Sequence, residues 1–238
     1  MAGTMQAIVP APTFRSPTAV AGESDLLDQN IYSAIVVSNG GSGTQRVFAV
    51  ASGGAIPGLL GAAGATPNVW QQTYSDLTTN LTKPGELGSA IGEGSVRAIG
   101  ISFEAAAYTL GTGAPRTFGM TQFEVADCLS KLSFEFQVGQ KRQIVGPVSA
   151  YPGFGGVGGS ISTTGNAATA GIATNGQLGS GRRLKYPIEV ARTDTIAGIF
   201  TTGNGSTLAF SNVGSSSGNG QPSLIWVNLL TTVAGDVR

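Results

Sequence analysis

From Leu132 to Val138 apolar and polar side chains alternate without a break: Leu132, Phe134, Phe136 and Val138 against Ser133, Glu135 and Gln137. A period of two puts the four apolar side chains on one face of a strand and the polar ones on the other, so this segment predicts a sheet packed on one side. Runs rich in β-branched and aromatic residues recur at 31–37, 46–50, 96–110, 116–125, 141–150, 186–191, 195–201, 206–210 and 223–233, and the alternating segment belongs to a run over 129–138. With the alternating segment they amount to about ten short strands and few short helices, which is the pattern of an all-β sandwich.

Local chemistry refines several of these elements. In the last run Leu224, Ile225, Trp226, Val227, Leu229 and Leu230 almost fill both faces, which predicts a buried central strand. Leu132, Phe134, Phe136 and Trp226 are therefore placed in the core. Pro147 cannot donate to a ladder and puts 141–150 at a sheet edge or strand end. Ser38-Asn39-Gly40-Gly41-Ser42-Gly43 lies between the first two runs and predicts a hairpin. Residues 23–28 suit one helical turn with Ser24 as its cap. Glycines punctuate 51–94, which reads as an elaborated loop with a brief helix over 69–77. The Gly- and Ser-rich tract 151–181 reads as a long surface loop ordered by assembly.

The N-terminal residues 1–22 carry Pro10, Pro12 and Pro17 and little periodicity, which predicts an extended arm preceding a β-sandwich region over 23–238. The arm and the Gly-rich tract lack a pattern able to bury a face, yet they keep scattered apolar anchors. Ile8, Val9, Phe14, Phe154, Ile161 and Ile172 are thus the candidate subunit contacts. Residues 1–20 show no basic segment followed by a sustained apolar run, so a secretory signal is not expected.

Charge narrows the function. Charged residues make up 11% of the chain, and 13 basic side chains balance 13 acidic ones. A neutral, charge-poor surface lacks electrostatic self-repulsion and suits burial between copies, the alternative being a monomer kept soluble by Ser, Thr, Asn and Gln. The chain has no histidine and one cysteine. Ser-His-Asp, Cys-His and zinc-histidine chemistry are therefore excluded, as is an internal disulfide.

The remaining motifs point away from catalysis. Gly153-Phe154-Gly155-Gly156-Val157-Gly158 matches G-x-G-x-x-G, but a phosphate site needs a helix to follow, and Gly and Ser dominate the next residues. Glu124 with Asp127, and Asp25 with Asp28, are carboxylate pairs better suited to turns and sheet ends than to a glycosidase cleft. Cys128 has no neighbouring thiol or histidine and reads as a small core residue. No enzyme activity, cofactor, metal or small-molecule substrate is expected. Lys141 with Arg142, and Arg182, Arg183 with Lys185, are candidate weak phosphate or interface contacts. Two small clusters in a neutral chain give at most weak contact with a genome or a membrane surface.

The stretch Phe134-Glu135-Phe136-Gln137-Val138-Gly139-Gln140-Lys141-Arg142-Gln143-Ile144-Val145-Gly146-Pro147, the Gly-rich excursion after it and the returning Tyr186-Pro187-Ile188-Glu189-Val190 resemble jelly-roll coat proteins of icosahedral bacteriophages. The resemblance spans the region from Val96 onward and rests on strand rhythm and loop composition. It implies a major capsid protein, a jelly-roll β-sandwich with either one elaborated roll or two compact rolls divided near 111–130. It also implies self-assembly through trimers into an icosahedral shell beside other virion proteins, in a virion made in the host cytoplasm. The alternatives are a viral spike, tail or minor capsid component, and a carbohydrate-binding β-sandwich or adhesin. The calcium-loop spacing D-x-[DN]-x-[DN]-G is absent from the sequence.

Overall fold

The computed structural model describes residues 24–56, 73–86, 94–104, 120, 122–153, 157–164, 167–174, 181–191, 193–210 and 222–236. Among them ten strands form: β1 (Ser24–Val37), β2 (Thr44–Val47), β3 (Gly94–Phe103), β4 (Leu132–Val138), β5 (Lys141–Pro147), β6 (Val157–Thr164), β7 (Ala167–Thr174), β8 (Arg182–Val190), β9 (Ile196–Thr202) and β10 (Ser223–Asp236). One helix, α1 (Gln122–Lys131), precedes β4, and a 3-10 turn at Val148–Ala150 follows β5.

The strands build two four-stranded antiparallel sheets, ordered β1-β10-β3-β8 and β2-β9-β4-β5, and a separate hairpin, β6-β7. The pairing is nested. β1 runs against β10, β2 against β9, β3 against β8 and β4 against β5, as in one long hairpin folded over on itself. Pairs β10–β3 and β4–β9 then close each sheet.

One apolar core joins the sheets. Ile31, Ile99, Ile101, Val227 and Leu229 of the first meet Val47, Phe134, Phe136 and Phe200 of the second. At its centre the Phe134 ring lies 5.0 Å from Phe200 and edge-on to Tyr151 at 5.3 Å, both within the range of favourable aromatic pairing. Gly198 of β9 leaves room for this packing, since a Cβ there would collide with Val47 and stand 2.8 Å from Phe134 Cε2.

β4 follows the alternation read from the sequence: Leu132, Phe134, Phe136 and Val138 are buried, Ser133 is exposed, and Glu135 and Gln137 lie between. β10 is an interior strand of its sheet, and β5 with Pro147 is an edge strand, both as expected. Other expectations need correction. Residues 24–28 form the start of β1, not a helical turn, because β10 supplies a ladder partner to every residue from Ser24 onward. β1 and β2 are not a hairpin; the glycine-rich turn carries the chain from one sheet to the other. Of the strands expected over 116–125 and 129–138, residues 122–125 and 129–131 are helical instead. In α1 Val125, Cys128 and Leu129 stand at i, i+3 and i+4 and pack on the core. Residues 73–77 make a bridge and a turn where a helix was expected. Residues 206–210 are irregular, although Leu208 and Phe210 are buried.

The tract read as a loop over 151–181 contains the β6–β7 hairpin, with Ile161 opposite Ala170 and Gly159 opposite Ile172. Trp226 also departs from its expected place. A β10 strand that turns Ile225, Val227 and Leu229 inward must turn Leu224 and Trp226 outward, and these pack with Ala34, Val36 and Ile56 in a smaller cluster on the outer face.

Candidate functional site

The residues that sequence reasoning set aside for chemistry are dispersed. Cys128 is a buried thiol, raised well above its ordinary value by burial and then by the nearby Asp127 and Glu124 carboxylates, so it stays protonated and unreactive. Glu124 is buried on α1. Asp127 is engaged by Lys131 Nζ at 2.6 Å and accepts the Ala209 N–H at 2.8 Å. These bonds, with that from Lys131 Nζ to the Thr207 carbonyl at 2.8 Å, tie the helix to the segment before β10. The G-x-G-x-x-G match runs into strand β6, so no helix N-terminus stands behind it. Among the described residues no group of three or more His, Cys, Asp and Glu side chains is arranged to hold a metal ion, and no helix is long and apolar enough to cross a membrane. A shallow polar cleft of about 340 Å³ opens between Ser42, Thr202, Asn204, Ser206 and Thr207, and it is lined by hydroxyl, amide and glycine groups without charge.

The surface features with chemical character lie at the two sides of the sandwich. On one side, β1 is the edge strand of its sheet. Its outward backbone groups are covered by residues 73–81. Asn80 Nδ2 donates to the Asn30 carbonyl at 2.7 Å, and the Tyr32 N–H donates to Asn80 Oδ1 at 2.8 Å. The Tyr32 carbonyl accepts the Asn80 N–H and the Thr79 hydroxyl, and the Ala34 carbonyl accepts the buried Tyr74 hydroxyl at 2.6 Å. Burial pushes the Tyr74 phenol up to about 12, only partly opposed by the nearby Ser33 hydroxyl. The Tyr32 hydroxyl in turn donates to the Asp76 carbonyl, and Trp226 Nε1 donates to the Leu77 carbonyl at 3.1 Å.

On the other side β5 and β8 are the edge strands of the two sheets. They lie close together, because a side chain at Gly146 of β5 would meet Tyr151 Oη at 3.4 Å and Arg182 Nη1 of β8 at 3.8 Å. Structure thus brings the two predicted basic clusters to one side of the molecule. Lys141 and Arg142 open β5, with Arg142 Nε 2.9 Å from Glu135 Oε2. Arg182 and Arg183 open β8; the Arg182 guanidinium sits over the Tyr151 ring at 5.1 Å and Lys185 over the Tyr186 ring at 5.5 Å. The Tyr151 hydroxyl is buried without a hydrogen-bond partner.

Of the candidate subunit contacts, Ile8, Val9, Phe14 and Phe154 lie outside the described residues, while Ile161 and Ile172 take their places in β6 and β7. Sequence reading missed the covered side altogether, because Tyr32 and Asn80 are 48 positions apart and only the fold brings their segments together. No protein-family model, no curated protein and no solved structure matches the chain.

Proposed function

We propose that this chain is a structural shell subunit, a single jelly roll that assembles with copies of itself into the icosahedral coat of a virus. The nested pairing carries the reading. Eight strands paired first with last, second with seventh and so inward, and divided between two four-stranded sheets, are the topology of a rolled hairpin, an architecture recurrent in viral capsid domains. The hairpin β6–β7 is then an insertion between the sixth and fifth arms of that roll. One roll accommodates the described strands better than two, since β1, β2 and β3 each pair with a strand beyond residues 111–130. The balanced 13 and 13 charges favour association, and such a subunit requires no cofactor or small-molecule substrate. The test is light scattering and negative-stain imaging of the purified full chain across a concentration series. Trimers or closed shells are expected; a monodisperse monomer at the highest concentration overturns the proposal.

A further inference from the structure

Two turns of this molecule share a central sequence and a shape. Ser38-Asn39-Gly40-Gly41 and Gly203-Asn204-Gly205-Ser206 each place Asn-Gly in the middle of four residues. In the first turn the Gly41 N–H donates to the Ser38 carbonyl at 3.1 Å, and in the second the Ser206 N–H donates to the Gly203 carbonyl at 2.8 Å. Gly40 has φ 73° and Gly205 φ 72°, the positive value that the third residue of a type II turn requires.

Their surroundings differ. Around the first pair, the Gly40 N–H donates to the Leu208 carbonyl at 2.7 Å, the Leu208 N–H donates to the Gly41 carbonyl at 2.8 Å, and Asn39 Oδ1 accepts the Phe210 N–H at 3.0 Å. Asn39 and Gly40 are half-buried there. Asn204 and Gly205 are exposed. Among the described residues no group accepts the Gly205 N–H or bonds the Asn204 amide, so this turn is held by its closing bond.

An Asn-Gly pair contains the parts of a reaction. The backbone nitrogen of the glycine attacks Cγ of the asparagine; an N–Cγ bond forms, the Cγ–Nδ2 bond breaks, and ammonia leaves with the proton lost from the nitrogen. Water then opens the resulting five-membered imide at either carbonyl and leaves aspartate or isoaspartate. Glycine has no side chain to obstruct the attack. The asparagine backbone must rotate to bring the nitrogen onto Cγ, so the turn has to open first.

We infer that Asn204 is a self-modification site of the folded chain, whereas Asn39, with the same neighbour in the same kind of turn, is held unreactive. Opening breaks one hydrogen bond at Asn204 and four around Asn39. Each of the three additional bonds slows opening several-fold, so the two rates should differ by more than about ten-fold. Every conversion takes the balanced 13 and 13 charges to a net of −1 and places a carboxylate beside the uncharged cleft of Ser42, Thr202, Ser206 and Thr207.

The test is incubation of the full chain over days in mildly alkaline buffer, with peptide mapping by mass spectrometry to follow the amide-to-acid mass gain at each site. Site-resolved mapping keeps Asn175-Gly176 and Asn219-Gly220, which lie outside the described residues, apart from the two compared. In the folded chain Asn204 should convert more than about ten-fold faster than Asn39. In concentrated urea the two rates should become alike, because the turns are gone and the pairs are the same. Equal rates in the folded chain, a faster Asn39, or an unconverted Asn204 overturns the inference. A difference that persists in urea overturns it as well, since it then belongs to the local sequence and not to the fold.

Discussion

The two sides of this sandwich solve one problem by different means. An edge strand presents unpaired N–H and C=O groups that invite pairing with any other strand. At β1 the chain covers them, with Asn80, Thr79 and Tyr74 bonding the backbone of Asn30, Tyr32 and Ala34. At β5 and β8 it interrupts them. Pro147 ends β5, and Gln143 is an extra residue between the pairs Phe136–Ile144 and Gln137–Arg142. In β8 four residues, Leu184, Lys185, Tyr186 and Pro187, stand against Arg97 alone; Arg182 and Arg183 precede them and Lys185 is among them. Bulges, prolines and positive charge block indiscriminate strand pairing without covering the edge. A covered edge is closed to everything; an interrupted edge remains available.

The largest effect that bears on this difference comes from emptying a buried ring site. Tyr74→Ala and Phe134→Ala each remove a side chain that is at most 1% exposed, and each should cost about 3–5 kcal/mol in the urea unfolding midpoint. Their consequences should then diverge. Tyr74→Ala also loosens the cover of β1, so it should aggregate under native conditions, whereas Phe134→Ala leaves both edges as they are. Equal light scattering from the two variants would mean that residues 73–81 do not protect β1.

A smaller and more selective effect separates two buried tyrosines. Tyr74 and Tyr151 are each 1% exposed, but the Tyr74 hydroxyl bonds the Ala34 carbonyl and the Tyr151 hydroxyl bonds nothing. Tyr74→Phe should therefore lose about 1–2 kcal/mol, and Tyr151→Phe should be neutral or stabilising by up to about 1 kcal/mol. Alkaline titration supplies a second readout. The folded Tyr74 phenol is raised from 10.0 to about 12, so its stabilising contribution is complete below pH 10 and is lost as pH climbs toward 12. Tyr74→Phe should remove that loss. Equal costs for the two substitutions would show that the cover is held by packing and not by this hydrogen bond.

What the sequence made legible follows from the range of the forces involved. β4 could be read because its alternation records a local fact, that every second residue faces one core. β5 could be placed at an edge because Pro147 acts on its own backbone. The partner of β1 could not be read. Ile31 pairs with Leu229 almost two hundred positions away, while the local signal, a glycine-rich turn before β2, suggested a hairpin. α1 was hidden because Phe123 and Val125 have strand-like character; the helical spacing of Val125, Cys128 and Leu129 was the available signal. The basic clusters were visible as residues, but their convergence depends on the crossing of β5 and β8 between sheets.

The smallest predicted effect concerns how β5 is held to β4 at the open side. Burial pushes the Glu135 carboxyl up, but hydrogen bonds from Gln137 and Arg142 and the Arg142 charge outweigh it and leave the carboxyl below its usual range. A carboxyl lowered in the folded state stabilises above its unfolded value, about 4.3, and that contribution is lost as pH falls through the folded value. Arg142 is 66% exposed, so water screens the pair and Arg142→Ala should cost only about 0.5–1 kcal/mol at pH 7. The difference between parent and variant should shrink toward zero as pH falls through the folded Glu135 value and the carboxylate is protonated. It should also shrink in high salt. A difference that persists under both conditions would assign the stabilisation to packing of the Arg142 stem against β4. The cation would then be free to meet a partner, which makes the open side more available for association than the ion pair implies.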